Sequence, residues 1–202
     1  MAGGRALILA GTGMLPEVVE ALVGDGWHVV LPSRRYSPIA VPGTKPGIAA
    51  LAKLRPRGHR PTGGKANGKR RPRAIWVQAH WDRPRELAAK AEGVLGGPAD
   101  LLVAWVHEQY RRSVLGACER LLAPGAPVVE VRGAGGPQTE AEPVLAAHPT
   151  QLVLVGAISE LGGNRPLGHA EISDAVLDAV SRAAAGRPAS LHQVGQSRPL
   201  VW

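Results

Sequence analysis

The chain has 202 residues, a net charge of +8 and one cysteine, Cys118. That length suits a single domain with a sizeable core. A lone cysteine rules out an intrachain disulfide, and no apolar run approaches the ~20 residues that span a bilayer. The short N-terminal apolar run lacks the flanks and cleavage site of a signal peptide, so a reducing cytoplasm is the expected compartment. The first element is a strand over Ala6-Leu7-Ile8-Leu9-Ala10, closing on Gly11-Thr12-Gly13-Met14-Leu15-Pro16. Gly11 suits a tight turn, Gly13 has no Cβ to block a pyrophosphate, and a helix beginning near Met14 aims free N–H groups and a positive dipole end at phosphates. Pro16 stands where a third fingerprint glycine is usual, and suits a helix's first turn. The helix Glu17–Val23, the turn Gly24-Asp25-Gly26 and a second strand, Trp27–Leu31, complete a βαβ unit of the dinucleotide-binding kind.

The second strand ends in Pro32-Ser33-Arg34-Arg35. An acidic residue there bonds a ribose 2′-hydroxyl, whereas arginine accommodates a 2′-phosphate. Ser33, Arg34 and Arg35 therefore point to NADP(H) over NAD(H), against the plainer reading of a solvated arginine pair. From Ser33 to Trp81 there is no acidic residue and there are 12 of the 24 basic ones, which leaves 12 basic against 16 acidic elsewhere. Residues from about 37 to 73 read as a long basic loop broken by Pro38, Pro42, Pro46, Pro56, Pro61 and Pro72. Like-charge repulsion makes its Arg55–Arg73 part an expected mobile insertion. A basic lid over an anionic ligand is the second reading. Nucleic acid is disfavoured, because no aromatic side chain lies between Tyr36 and Trp76 to stack on bases.

The third strand is Ala74–Ala79, followed by His80-Trp81-Asp82 and a helix from Pro84 to Leu95. Trp81 and Asp82 border the adenine position of a doubly wound fold. The alternative is that Trp81 packs and Asp82 caps the helix. The fourth strand, Asp100–Val106, carries Trp105 and runs into a helix from about Glu108 to Leu122 with Val114, Leu115, Cys118, Leu121 and Leu122 as its apolar face. His107, Tyr110 and Arg111 lie three and four apart at its start. An imidazole, a phenol and a guanidinium form a proton-transfer and anion-holding set. The alternative is that His107 caps and Tyr110 packs. A fifth strand, Val128–Val131, is followed by a short helix over Thr139–Ala147. A sixth strand spans Gln151–Val155, and a last helix runs from Gly168 or His169 to about Ala184 with Ile172, Val176, Leu177 and Val180 buried. The tail 186–202 has little pattern; its apolar end, Pro199–Trp202, suits docking on the domain or on a second subunit. Cys118 reads as a small buried hydrophobe. His80, His107, His148, His169 and His192 show none of the close spacings of a zinc site.

Six strands in this order make a doubly wound parallel sheet in three α/β/α layers, one domain over 1–185. Taken together, Gly11-Thr12-Gly13-Met14-Leu15, Leu31-Pro32-Ser33-Arg34-Arg35, Trp81-Asp82, Trp105-Val106-His107, Tyr110–Ala117 and Glu171-Ile172-Ser173 resemble the short-chain dehydrogenase/reductases, and more narrowly their small atypical members. The likeness covers most of Ala6 to Val180. It implies a Rossmann fold with strand order 3-2-1-4-5-6, NADP(H) in the cleft, a small substrate and a homodimer through the helices beginning at Pro84 and Glu108. It does not bring the family's usual catalysis. Typical members carry Tyr-x-x-x-Lys after strand five, and no tyrosine or lysine follows Val131 here. Three functions follow as expectations. One is an NADP(H)-dependent reductase of a C=N, C=C or C=O bond, with His107 or Tyr110 handling the proton and Arg111 an anionic substrate. The second is a non-redox NADP(H)-binding sensor or partner. The third is a cofactor-free lyase or cyclase.

Overall fold

The computed structural model describes residues 3–10, 14–35, 73–133, 142–161 and 165–196. Its elements are β1 (Arg5–Leu9), α1 (Pro16–Gly24), β2 (His28–Ser33), β3 (Arg73–Gln78), α2 (Pro84–Leu95), β4 (Leu101–Ala104), α3 (Glu108–Glu119), β5 (Val128–Gly133), β6 (Thr150–Val155), α4 (His169–Ala184) and β7 (Ser190–Val194). The strands form one sheet of order β3-β2-β1-β4-β5-β6-β7, parallel throughout. Such a sheet must be covered on both faces, and the central strands are apolar on both. Ala6 and Ile8 of β1 pack with α1 and α4, while Leu7 and Leu9 pack with α2 and α3. Each fully buried aliphatic side chain contributes roughly 1.5–3 kcal/mol.

Handedness separates one crossover from the other helical ones among the described residues. The units through α1, α2 and α3 share a hand. α4 lies on the α1 face although it carries the chain in the opposite direction along the sheet. Its crossover from β6 to β7 therefore has the opposite hand, against the strong general preference for one hand. The consequence is that α4 covers β4, β5 and β6 and meets α1 side by side.

The tail departs from expectation. It supplies a seventh strand, β7, beside β6. Ser190, His192 and Val194 turn inward while Leu191 and Gln193 are exposed. An edge strand with one wet face and a polar inner face lacks the apolar run of its neighbours. Gln151 fastens it: the amide donates to the Pro188 carbonyl at 2.8 Å, and its oxygen accepts from His192 at 3.0 Å and from Ser190. The helix expected over Thr139–Ala147 is also not formed within its described part. Residues 142–149 form turns, Leu145 is buried, and the backbone is bonded to β5 side chains instead. α3 ends at Glu119, before the expected Leu122. The following turn is drawn off by Ala99, whose N–H donates to Leu121 O at 2.7 Å and whose O accepts from Ala123 at 2.8 Å. β4 stops at Ala104, two residues short of the expected Val106. Asp82 does not cap α2; Arg83 holds that position without a side-chain bond. The basic loop, except Arg73 at the start of β3, and the Pro199–Trp202 end lie outside the described residues.

Cys118 sits in the α2/α3 core with no exposed surface, and burial pushes its thiol up to about 12. The native protein should resist 5,5′-dithiobis(2-nitrobenzoate) at pH 8 for hours and react stoichiometrically within minutes in 6–8 M urea, on the order of a hundredfold rate change, because only the thiolate attacks.

Candidate functional site

All strands point the same way, so their carboxyl ends form one rim, and the crevice opens where the sheet order reverses, between β1 and β4. α1 starts at this rim with Pro16 in its first turn and Leu15, 2 % exposed, at its N-cap. Among the described residues no side chain accepts from the N–H groups of its first turn, which leaves them open to an anion. Gly11, Thr12 and Gly13 lie outside the described residues. Met14 is partly exposed beside them.

At the end of β2, Ser33 is buried, and its hydroxyl donates to the Arg35 carbonyl at 2.8 Å while accepting from the Trp76 indole N–H at 2.8 Å. The serine thus braces the turn that sets Arg34 and Arg35 outward, both exposed. Two guanidiniums on a braced turn next to an open helix N-terminus are chemically suited to a phosphorylated adenosine ribose. The residues present fit the dinucleotide that the sequence implies.

The two lips of the crevice differ. On the α2/α3 side, the Trp81 and Tyr110 rings lie 6.3 Å apart at 58°, Asp82 is exposed, and His107 sits exposed at the N-cap of α3. Arg111 does not stay with them. It is 9 % exposed and turns under the helix to Glu130, with Nε 3.7 Å from Oε1. Glu130 is 1 % exposed and also receives Arg132 Nε at 2.8 Å. A buried carboxylate demands cationic and N–H partners, and this one takes Arg111 out of the His107–Tyr110 face. Trp105 lies on the other side of the sheet from Trp81, half-buried against the α1/α4 core, with its backbone N–H donating to the Leu9 carbonyl at 2.9 Å.

The α1/α4 lip carries groups the sequence patterns did not single out as a site. Glu17 in the first turn of α1 accepts from Ser173 Oγ at 3.0 Å, and Ser173 Oγ lies 3.2 Å from His169 Nδ1. His169 Nδ1 is 3.7 Å from the other Glu17 oxygen. Beside it, Glu171 accepts from Ser159 Oγ, from the Gly168 N–H at 3.0 Å and from Arg165 at 2.8 Å. The Ser159 hydrogen bond, then the Gly168 N–H and the Arg165 guanidinium, hold its carboxyl below the usual range despite some desolvation. The loop after β6 is pinned from below as well. Ile158 and Gln196 exchange backbone hydrogen bonds at 2.8 and 3.0 Å, and a Cβ on Gly156 would come within 2.7 Å of the Gln196 carbonyl. The sequence signals for this lip are the i, i+4 spacing of His169 and Ser173 and the Glu171-Ile172-Ser173 match; their partner Glu17 is 156 residues from Ser173. No three His, Cys, Asp or Glu side chains among the described residues could hold a metal ion together, and among them no helix is long and apolar enough to cross a membrane.

Replacing Glu130 with Ala should cost about 3–5 kcal/mol in urea unfolding by removing the buried carboxylate that Arg132 and Arg111 face. Glu92→Ala, which breaks an exposed pair with Arg120, should cost under about 1 kcal/mol. Similar losses in both would show that the Glu130 network is not structural.

No family profile matches the chain, and no curated protein matches it. Solved structures do. A short-chain dehydrogenase from Oenococcus oeni superposes with a TM-score of 0.58 at 10 % identity, over 96 % of each chain. An NADH-dependent reductase, A1-R′, solved with NAD, gives 0.52 at 17 % identity over 96 % of this chain and 95 % of its own. BdcA, solved with NADPH, gives 0.51 at 13 % over 96 % and 93 %. The fold is that of the short-chain dehydrogenase/reductases.

Proposed function

We propose that this chain is an NADP(H)-dependent oxidoreductase acting on a small C=N, C=C or C=O substrate with a non-standard proton donor. The observation that carries the reading is the Ser33-braced turn: it presents Arg34 and Arg35 at the end of β2, one strand from the open N-terminus of α1. In this assignment Gly11, Thr12, Gly13, Met14 and Leu15 line the pyrophosphate, Arg34 and Arg35 grip the 2′-phosphate, and Trp81 and Asp82 border the adenine. Trp105 backs the crevice from the opposite face. When bound, the dinucleotide supplies the hydride. The neighbours solved with NAD and with NADPH support a nicotinamide dinucleotide in a fold of this type, and the arginines favour the phosphorylated one.

His107 and Tyr110 stay together on the α2/α3 side of the rim, where an imidazole and a phenol are available to a bound substrate. The burial of Arg111 against Glu130 favours a structural part for that residue over direct contact with an anionic substrate. A cytoplasmic homodimer through α2 and α3 is part of the same reading. A second reading, a non-redox NADP(H)-binding protein, is favoured by one feature: no tyrosine or lysine follows Val131, so the usual donor pair is missing.

Titrating tryptophan fluorescence with NADPH and NADH tests the proposal, since Trp81 and Trp105 flank the crevice. NADPH should bind at least tenfold more tightly. Arg34→Glu with Arg35→Glu should remove that preference, a change of about 1.4 kcal/mol or more, and leave NADH affinity within about threefold. Equal affinity of the wild type for both dinucleotides would sink the assignment.

A further inference from the structure

The crevice has a titratable group that neither the Tyr-x-x-x-Lys pattern nor the His107–Tyr110 face supplies. α1 covers β2 and β3, α4 covers β4, β5 and β6, and the two helices touch. Their contact therefore stands over the β1/β4 boundary, which is the switch point. Both helices begin at the rim, and their first turns are joined there by Glu17, Ser173 and His169.

The bonding fixes how the imidazole is used. The Ser173 hydroxyl donates to Glu17 Oε2. Its oxygen is then free to accept, so Nδ1–H of His169 donates to Ser173 Oγ across 3.2 Å. Glu17 Oε1 stands 3.7 Å from the same nitrogen. Nδ1 is thus held between the Ser173 hydroxyl and the Glu17 carboxylate. Nε2 has no hydrogen-bond partner among the described residues, and the side chain is 53 % exposed. Ser173 is 2 % exposed, so it acts as an internal link and not as a nucleophile.

We infer that His169 is the acid–base residue of this site, with Ser173 and Glu17 positioning it. The inference rests on the dinucleotide reading above. In the reducing direction, a bound dihydronicotinamide would supply a hydride, and with it two electrons, to the substrate carbon. The C=N or C=O π pair would move to the heteroatom and take the proton from Nε2–H of the His169 imidazolium, and the neutral imidazole would regain its proton from solvent at its exposed edge. In the oxidising direction, the same nitrogen accepts the proton.

The test uses the full chain and two readouts. Diethyl pyrocarbonate modifies accessible imidazoles, and peptide mass spectrometry follows His169 without added ligand, with saturating NADPH and with saturating 2′,5′-ADP. His169 should be modified in the free protein, protected at least fivefold by NADPH and left reactive by 2′,5′-ADP, which fills only the adenosine half. NADPH oxidation is then followed with benzaldehyde, pyruvate and 1-pyrroline as probes. His169→Gln should lower turnover of any reduced probe by about 10²-fold or more, with NADPH affinity within threefold of wild type. Glu17→Gln should lower it by a smaller factor and shift the pH–rate profile. Undiminished modification of His169 under bound NADPH overturns the inference, as does wild-type turnover in His169→Gln. NADPH that binds but reduces none of the probes overturns it too, and leaves the non-redox reading. Failure of NADPH to bind the wild type, seen in the fluorescence titration, removes the dinucleotide reading and this inference together.

Discussion

A parallel sheet has to be covered on both faces, and most of this molecule follows from that requirement. The β1-α1-β2 unit covers one face toward β3, while on the other face α2 covers β1, β2 and β3 and α3 packs beside it over the β4/β5 side. The α1 face of β4, β5 and β6 would then stand open. α4 closes it at the expense of the common crossover hand. The closure does more than complete a core. It brings the start of a second helix to the switch point, beside the start of α1, so the crevice has a polar lip on each side.

The second constraint is electrostatic. Glu130 projects from β5 into the α2/α3 layer, where a lone carboxylate would be costly. It is held by Arg132 and Arg111 and accepts the Val144 N–H at 3.3 Å. One buried charge therefore ties together β5, the first turn of α3 and the segment before β6. That segment stays non-helical because its backbone bonds are made to β5 side chains and Leu145 plugs the core. The same pull separates Arg111 from His107 and Tyr110, which share its helix turn. Helical spacing places residues on a face, but the depth of a neighbouring charge decides which of them leaves it.

The two lips also differ in how they are bonded. The α1/α4 lip is bonded through Glu17–Ser173–His169 and through Ser159–Glu171–Arg165, and the loop after β6 is fastened to the end of β7. The α2/α3 lip presents a tilted aromatic pair and exposed polar groups. Chemistry that requires a proton at a fixed point is better served by the bonded lip, because positioning within a fraction of an ångström is what makes a general acid effective.

Much of the fold was legible in the chain. The apolar runs of β1, β2, β4, β5 and β6, the Pro-initiated helices at Pro16 and Pro84, and the stripe through Val176 and Val180 are local signals, and they specify a doubly wound sheet because continuous apolar strands have nowhere else to go. The place of the Ser33-Arg34-Arg35 turn at the end of β2 was legible too, since that signal is local. β7 was not, because an edge strand needs apolar character on one face only, and here Gln151 and Ser190 supply polar bonds on that face. The Glu130–Arg111 pair and the Glu17–Ser173–His169 link were equally hidden. Their partners are distant in sequence, and no periodicity predicts which two helices will share a face when one crossover reverses its hand. Sequence alone determined most of the strands and helices, those whose apolar runs and caps are local signals, and the order in which they occur. Tertiary structure alone decided which charged groups are buried, which lip they stand on and which imidazole is held in place, because those outcomes depend on long-range coverage of the sheet and on the cost of burying charge.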